Sequence, residues 1–320
     1  MVKKILLELK SIKKYFPIRK GVFCRVSGFI KAVDSLNLNI SEAETLGLVG
    51  ESGCGKSTLA KVILRLYEPD AGQIFFQGKE ITRIKLKDLR QARKDIQIIF
   101  QNPFSSLDPR FKIRDIILEA INAFGLGFTR KEREAKIKEI IEEVKLSSDS
   151  LNRFPHEFSG GERQRIAIAR SLVGRPKFLI LDEPVSALDV LIQSEILNLI
   201  QRLKEEFSLT YLFISHNLRL IQRVSDRICV MYLGKILESA PTEPIFKTPL
   251  HPYTSILLAS AEQKRVSLKG EVPSASEIPP GCRFHLRCPY TKDICREKEP
   301  NLEEKESRHL VSCHYPLSYV

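Results

Sequence analysis

Gly50-Glu51-Ser52-Gly53-Cys54-Gly55-Lys56-Ser57-Thr58 is the stretch that decides the fold of this chain. It follows the apolar run 46–49 and precedes a helical pattern, which predicts a strand, a glycine loop and a helix in succession. The backbone N–H groups of a loop with Gly-x4-Gly-Lys-Ser spacing converge on phosphate oxygens, while Lys56 adds positive charge and Ser57 offers a hydroxyl to Mg2+. The stretch therefore predicts a nucleotide-binding P-loop, and the alternative is a glycine-rich turn without a ligand.

Length and composition set outer limits on the kind of protein. The chain has 320 residues, 43% of them hydrophobic, which suits one large domain with an appendage or two domains. Its formal charge of +12 fits a partner that carries phosphates, an anionic membrane surface or nucleic acid. No apolar run is long enough to span a bilayer, and residues 1–5 do not begin a signal peptide, so we expect a soluble, cytoplasmic chain. In that compartment the seven cysteines are better interpreted as metal ligands or reactive thiols than as disulfides.

Strand patterns flank the P-loop. Residues 5–16 and 32–40 alternate as strands, with an irregular loop predicted over 19–29. Tyr15 precedes the P-loop strand and could stack on a purine base, although Tyr15 or Phe16 could equally pack on the sheet edge.

A later strand pattern, 95–100, ends at Gln101, where an amide at the carboxyl end of a buried strand could reach a metal or an attacking water. Gln101 before Asn-Pro could also simply end the strand and begin a turn. Residues 112–146 are predicted to be helical, with a solvated charged face.

A second candidate anion site is Ser159-Gly160-Gly161-Glu162, which precedes a helix of small residues. Its hydroxyl, exposed amides and helix N-terminus could bind an anion, or Ser159 could be an ordinary N-cap.

Two adjacent carboxylates, Asp182 and Glu183, end the apolar run 178–181. Carboxylates after so buried a strand need a cation or water, so Asp182 is a candidate Mg2+ ligand and Glu183 a candidate base for the attacking water; the alternative is a solvated acidic turn. Farther along, His216 ends the strand pattern 210–215, where its imidazole could bond a γ-phosphate or serve only structure.

In this order, the motifs resemble those of the ATP-binding cassette (ABC) ATPases over about residues 5 to 260. The signature motif of that family usually ends in Gln, whereas Glu162 stands there in this chain. The resemblance implies adenine stacking by Tyr15, the Walker A loop at 50–58, the Q-loop glutamine at Gln101, the signature motif at 159–162, the Walker B aspartate and catalytic glutamate at Asp182 and Glu183, the D-loop at 186–189 and the switch histidine at His216.

The resemblance also implies how the chain works. The expected fold is α/β, a P-loop NTPase with a RecA-like core, an N-terminal antiparallel β subdomain and a helical subdomain at about 103–165. Mg2+ would be held through Ser57, Gln101 and Asp182. Two cassettes would pack head to tail, so that Ser159-Gly160-Gly161-Glu162 meets the ATP of the partner, and hydrolysis would let the halves part. The expected partners are a second, identical or homologous ATPase subunit and two transmembrane permease subunits, on the cytoplasmic face of the membrane.

The C-terminal part narrows the resemblance. Three features are similar to the oligopeptide, dipeptide and nickel importer branch, most of all to its F-type ATPase subunit. They are the stretch His251-Pro252-Tyr253-Thr254, the long loop after Phe16 and the residue sequence of the P-loop. We therefore expect an ATPase that powers peptide uptake, with an external peptide-binding protein acting through the permeases. The predicted domains are 1–260, the nucleotide-binding domain, and 261–320, a C-terminal extension.

Four cysteines in the extension, Cys282, Cys288, Cys295 and Cys313, have the spacing C-x5-C-x6-C-x17-C. A loop-rich segment with little apolar core favours a stabilising metal, and the absence of a C-x2-C pair favours a [4Fe-4S] cluster over Zn2+. Some members of the importer branch carry such a cluster here. Reduced thiols without metal remain the alternative.

Three other functions compete with peptide uptake. One is the import of nickel or another small solute by the same branch. Another is a DNA-repair or chromosome-structuring ATPase, which the charge would suit, but the chain has no sustained heptads between the P-loop and residue 159. A third is a ribosome-associated regulator, which would carry two P-loops where this chain has one. No nucleic-acid partner is therefore expected.

Overall fold

The structure, a computed structural model, describes residues 4–21, 24–101, 107–261 and 273–317. Residues 103–106 of the predicted helical subdomain and 262–272 of the predicted extension lie outside this description. The chain forms two compact units, unit 1 with residues 1–82 and 213–320 and unit 2 with residues 83–212.

Twelve strands and ten α-helices are formed by the described residues. The strands are β1 (Ile5–Lys20), β2 (Arg25–Ser41), β3 (Thr45–Val49), β4 (Ala71–Phe76), β5 (Lys79–Glu80), β6 (Ile96–Ile99), β7 (Phe178–Asp182), β8 (Thr210–Ile214), β9 (Arg227–Tyr232), β10 (Lys235–Pro241), β11 (Glu303–Glu306) and β12 (His309–Val311). The helices are α1 (Lys56–Ile63), α2 (Leu86–Asp95), α3 (Ile113–Ala123), α4 (Arg130–Glu143), α5 (Gly160–Leu172), α6 (Val190–Phe207), α7 (Leu218–Val224), α8 (Thr242–Lys247), α9 (Pro252–Ala261) and α10 (Asp293–Glu297).

The N-terminal sheet of unit 1 is antiparallel, with the strand order β2-β1-β4-β5. The prediction of an irregular loop over 19–29 is wrong, because β1 continues to Lys20 and β2 begins at Arg25. Pro17 lies in a part of β1 that β4 does not pair with, since that pairing extends only as far as Lys13. A proline is tolerated where one side of a strand needs no ladder donor.

A second set of strands in unit 1 has the order β11-β12-β10-β9-β3. β3 and β9 are parallel, whereas β10 and β12 join antiparallel. All five residues of β3 are buried, as expected for a parallel strand covered on both faces. The P-loop therefore follows a rigid strand in the core of this unit.

Unit 2 contains the parallel pair β6 and β7 and the helices α2 to α6. The predicted helix over 112–146 is two helices, because Gly125 and Gly127 between α3 and α4 adopt left-handed backbone conformations. Thr129 then caps α4 in a capping box with Glu132. All five residues of β7 are buried, including Asp182 at its end. The second carboxylate, Glu183, follows directly after the strand.

Candidate functional site

Two glycines of the P-loop are required by close backbone contacts. A Cβ on Gly50 would lie 2.1 Å from the carbonyl oxygen of Met231, and one on Gly55 would lie 2.0 Å from that of Ala32. Both glycines also have positive φ, +154° and +111°. Any side chain at either position would displace backbone, so the glycine spacing follows from the way the loop is pressed against β9 and β2.

Lys56 begins α1 and is 6% exposed. Its Nζ donates to the carbonyl oxygens of Gly50, at 2.8 Å, and Glu51, at 2.9 Å, and lies 3.7 Å from the sulfur of Cys54. Burial raises the pKa of Cys54, so its thiol is neutral at pH 7. These three acceptors among the described residues are uncharged, and the ammonium group lies beside the N-terminus of α1, which fits a bound polyphosphate. Ser57 follows in the same first turn.

Tyr15 lies in β1 and is held at both ends. Its backbone N–H donates to Asp70 at 2.5 Å, and its hydroxyl donates to Asp34. Burial and this hydrogen bond raise the pKa of Tyr15. The neighbouring Phe16 packs edge-on against Tyr67, with ring centroids 5.3 Å apart. Phe16 thus packs against another aromatic ring, whereas Tyr15 is held by polar contacts.

In unit 2 the structure brings together two of the predicted residues, Gln101 and Glu183. Gln101 Nε2 donates to Glu183 Oε2 at 3.0 Å, across the ends of β6 and β7. Glu183 has a left-handed backbone, with φ of 50°. A non-glycine residue held in that region is strained, at a cost of about 1–3 kcal/mol. Asp182, the last residue of β7, is 5% exposed.

Ser159 is the N-cap of α5. Its hydroxyl accepts from the Glu162 N–H at 3.3 Å, and the Glu162 carboxylate accepts from the Ser159 N–H at 2.8 Å. This bond to the backbone N–H holds the pKa of Glu162 below its ordinary value. A Cβ on Gly161 would lie 2.5 Å from Cγ2 of Ile192, so glycine permits close packing against α6. Within the single chain, Ser159 therefore acts as the N-cap of α5, which was the alternative to an anion site.

His216 is exposed directly after β8, in unit 1. Next to it, Asn217 caps α7 by accepting from the Leu220 N–H at 3.2 Å. The structure thus places His216 at the end of a buried strand, as the sequence predicted.

Several residues that contact the predicted site were missed by the sequence analysis. The Glu51 N–H donates to the Tyr253 hydroxyl oxygen at 3.0 Å, and the Glu51 carboxylate accepts from both terminal nitrogens of Arg287, at 2.6 and 2.9 Å. Arg283 donates to Asp34, the acceptor of Tyr15. The His-Pro-Tyr stretch marked the C-terminal region as a family feature, but no spacing of residues along the sequence could predict that this region contacts the P-loop.

The four cysteines of the extension are not arranged as a metal site. Throughout the parts of the chain that the structure describes, no group of three or more His, Cys, Asp or Glu side chains could hold a metal ion. Burial raises the pKa of Cys282 to about 11 and that of Cys313 to about 12, and each is raised further by the neighbouring thiols. The predicted [4Fe-4S] cluster and its Zn2+ alternative are therefore not supported, although the thiols are close enough to affect one another.

No helix among the described residues is both long and apolar enough to cross a membrane.

Comparison with known proteins covers almost the whole chain. Residues 33–186 match the model of the ABC transporter family, and residues 237–295 match that of the oligopeptide/dipeptide transporter C-terminal region. The oligopeptide transport ATP-binding protein AppF of Bacillus subtilis is 49% identical over 97% of this chain and 97% of its own length. The dipeptide transport ATP-binding protein DppF of Haemophilus influenzae is 41% identical over 97% of this chain and 96% of its own length.

Among solved structures, a dimeric ATP-binding cassette in a post-hydrolysis state with ADP and Pi matches with a TM-score of 0.65 and 27% identity, covering 74% of this chain and 99% of that one. This likeness confirms the predicted α/β cassette fold, with its antiparallel N-terminal sheet. Since relatives that are 41 to 49% identical cover nearly the whole chain and both family models match it, the chain belongs to the ATP-hydrolysing proteins of the ABC transporter family, in the branch with the oligopeptide/dipeptide transporter C-terminal region.

Proposed function

We propose that this chain is the ATP-hydrolysing subunit of a membrane importer of dipeptides and oligopeptides. The observation that carries the proposal is its 49% identity, along nearly the full length, to an oligopeptide transport ATP-binding protein. The match of residues 237–295 to the oligopeptide/dipeptide transporter C-terminal region supports the same branch, and the peptide-transport names of the relatives favour peptides over nickel or another small solute.

In this proposal the P-loop, residues 50–58, binds the phosphates of ATP, with Lys56 as the cation and Tyr15 against the base. The uncharged acceptors around Lys56 and the close-packed Gly50 and Gly55 support the phosphate assignment. Mg2+ would neutralise phosphate charge when bound, and Ser57, Gln101 and Asp182 carry the oxygen atoms that suit it.

Glu183 is proposed as the general base that polarises the attacking water. Gln101 holds its carboxylate at 3.0 Å and so fixes its direction at the end of β7. His216 is proposed to contact the γ-phosphate. The N-terminus of α5, with Ser159, Gly160, Gly161 and Glu162, would face the ATP of a second cassette, an arrangement supported by the dimeric form of the matched structure.

The proposed assembly contains a second ATPase subunit, identical or homologous, two permease subunits and an external peptide-binding protein that acts through the permeases. The chain would then be a peripheral protein at the cytoplasmic face of the membrane. Residues 1–260 would form the nucleotide-binding domain, with the helical subdomain at about 103–165, and residues 261–320 the extension.

The four-cysteine metal site enters only as a prediction. Its support is the spacing of Cys282, Cys288, Cys295 and Cys313 in the sequence. As placed in the structure, the described side chains form no group that could hold a metal ion. Iron, sulfide and zinc analysis of protein purified without oxygen would test it, with Cys288→Ser for comparison. Metal in the wild type that the variant lacks would establish the site, and metal-free wild type would exclude it.

A substitution at Glu183 tests the proposed function. In Glu183→Gln we expect ATP binding to persist while turnover falls by at least about a hundredfold, because the general base is lost. Glu142→Gln, at an exposed position of α4, is the matched control and should retain full turnover. Normal turnover in Glu183→Gln would remove this residue from the catalytic role.

Uptake of labelled dipeptides and oligopeptides by cells that carry the complete importer tests the substrate class. We expect uptake with wild-type protein and none with Glu183→Gln. Uptake of Ni2+ in place of peptide would overturn the peptide assignment and leave the ATPase assignment intact.

A further inference from the structure

A short segment of the C-terminal extension, residues 281–287, contacts both parts of the proposed ATP site. It carries two arginines, Arg283 and Arg287, whose side chains are each 5% exposed. The segment, the P-loop and Tyr15 all belong to unit 1. Buried guanidinium groups are costly to desolvate without partners, so the partners of these two arginines indicate what the segment holds. Arg287 Nε has no hydrogen-bond partner among the described residues, but both of its terminal nitrogens are paired.

Arg287 pairs with the P-loop. Its two terminal nitrogens donate to the two carboxylate oxygens of Glu51 at 2.6 and 2.9 Å, the bidentate geometry that fixes direction as well as distance. The hydrogen bonds with Glu51 raise the pKa of Arg287 above its ordinary value. The backbone of Glu51 is held as well, since its N–H donates to the hydroxyl oxygen of the fully buried Tyr253.

Glu51 in turn contacts Lys56, the proposed phosphate-binding lysine. Its carbonyl oxygen accepts from Lys56 Nζ at 2.9 Å. One residue thus has its side chain, its N–H and its carbonyl all engaged, the first two by the C-terminal region and the third by the P-loop lysine. The conformation of the loop at Glu51 is therefore set from outside the loop.

Arg283 pairs with the residue that holds Tyr15. It donates to Asp34, and Asp34 accepts from the Tyr15 hydroxyl. Burial alone would raise the pKa of Asp34, but the hydrogen bonds from Tyr15 and Arg283 outweigh it, and the pKa lies below its ordinary value. Arg283 is itself fixed by the Leu233 carbonyl and by Glu299, at 3.0 Å from its Nε.

We propose that Arg283 and Arg287 are positioning residues for ATP: Arg287 sets the P-loop through Glu51, and Arg283 sets the base-facing Tyr15 through Asp34. Neither arginine acts on ATP directly. The inference rests on the proposed function, because it takes Tyr15 and the P-loop as the nucleotide site.

The two arms of the proposal predict different losses. A looser P-loop weakens the binding of any triphosphate, with or without a base. A misdirected Tyr15 weakens only ligands that carry a base, because stacking is lost and the phosphate contacts remain. A merely structural role for the two arginines would not separate the ligands in this way.

The experiment measures equilibrium binding to the full-length chain by titration calorimetry, with the β,γ-imido analogue of ATP and with inorganic tripolyphosphate. In Arg287→Gln we expect both ligands to bind about tenfold more weakly, the loss typical of a hydrogen-bonded charged group. In Arg283→Gln we expect about a tenfold loss for the ATP analogue and less than about twofold for tripolyphosphate. The matched control is Arg296→Gln, at an exposed position of the same extension, which should bind both ligands as the wild type does.

Two further variants keep the test valid if a buried arginine proves necessary for folding. Arg287→Lys keeps the charge but not the paired donors, so we expect binding between that of wild type and Arg287→Gln. Asp34→Asn breaks the Arg283 link from its other end. It should reproduce the base-specific loss, and combining it with Arg283→Gln should add little more.

Folded variants that bind both ligands as tightly as wild type would overturn the inference. An equal loss of both ligands in Arg283→Gln and Asp34→Asn would overturn the Tyr15 arm, because it would indicate general loosening. A wild-type chain that binds neither ligand would reject the ATP-site assignment itself, a failure distinct from that of the inference.

Discussion

The histidine of the His-Pro-Tyr stretch gives a pH prediction. His251 is 1% exposed, and its Nδ1 accepts from the Tyr253 N–H at 3.0 Å. Burial lowers the pKa of His251 from 6.5 to about 4, and this outweighs the nearby Glu238 carboxylate, which acts in the opposite direction. The folded chain therefore keeps the imidazole neutral at a pH where the unfolded chain protonates it.

The sign and size of the effect follow from this difference. Between the two pKa values the unfolded state binds more protons, so the stability contribution of neutral His251 is complete above pH 6.5 and is lost as pH falls toward 4. The full shift corresponds to about 3 kcal/mol of the free energy of unfolding, and about 2 kcal/mol of it should disappear between about pH 7.5 and pH 5.

Urea unfolding of the full-length chain across this pH range measures the effect. Carboxylates also begin to titrate near pH 5, so the comparison is made with His251→Asn, whose side-chain oxygen can accept from the Tyr253 N–H but cannot titrate. We expect the stability of the wild type to fall by about 2 kcal/mol more than that of the variant over the same interval. Parallel pH curves for the two proteins would refute the reasoning, because they would mean that His251 titrates alike in both states.

Two further predictions concern glycine and capping positions. In Gly55→Ala, the new Cβ would lie 2.0 Å from the Ala32 carbonyl oxygen at a φ of +111°. We therefore expect the binding of an ATP analogue, measured by calorimetry, to be abolished and the thermal unfolding midpoint to fall. Binding as tight as that of the wild type would contradict the geometry. In Glu162→Gln, the side chain can still accept from the Ser159 N–H, so we expect the free energy of unfolding to change by less than about 1 kcal/mol and turnover by less than about threefold. Glu162→Ala removes the acceptor and should lose about 1 kcal/mol of stability, measured by urea unfolding. Equal losses in both variants would show that the charge of Glu162 matters and its capping hydrogen bond does not.

The parts of the fold that sequence reasoning found are those set by local constraints. The P-loop residues from Gly50 to Ser57 stand close together in the chain and appear as a fixed spacing, although the backbone that requires the two glycines, at Met231 and Ala32, lies outside the loop. The acidic end of β7 was likewise marked by an uninterrupted apolar run. Features of this kind depend on a few consecutive residues, so the sequence exposes them.

The parts that were missed depend on distant pairings. Arg287 and Glu51 are separated by 236 positions. The chain has many basic residues, and nothing in the sequence around one arginine indicates which carboxylate it pairs with. The stretch predicted as an irregular loop over 19–29 lies largely in β1 and β2, because the two strands are stabilised by pairing with each other, which no local pattern of residues shows. The cysteine spacing suggested a metal site, but spacing alone does not fix where the sulfur atoms lie.

The outermost strand of the mixed sheet in unit 1, β11, is the short acidic run Glu303-Glu304-Lys305-Glu306, with all four side chains exposed. An open sheet margin is a template onto which a strand of another molecule can add, and dense charge on a short strand is an effective way to prevent this. Through β12 and β11, the C-terminal extension covers the flank of β10, whose central residues are buried, and presents charged side chains in its place. The C-terminal extension thus contacts the P-loop through residues 281–287 and, through β11, places charged side chains at a sheet margin, which disfavours the addition of a foreign strand.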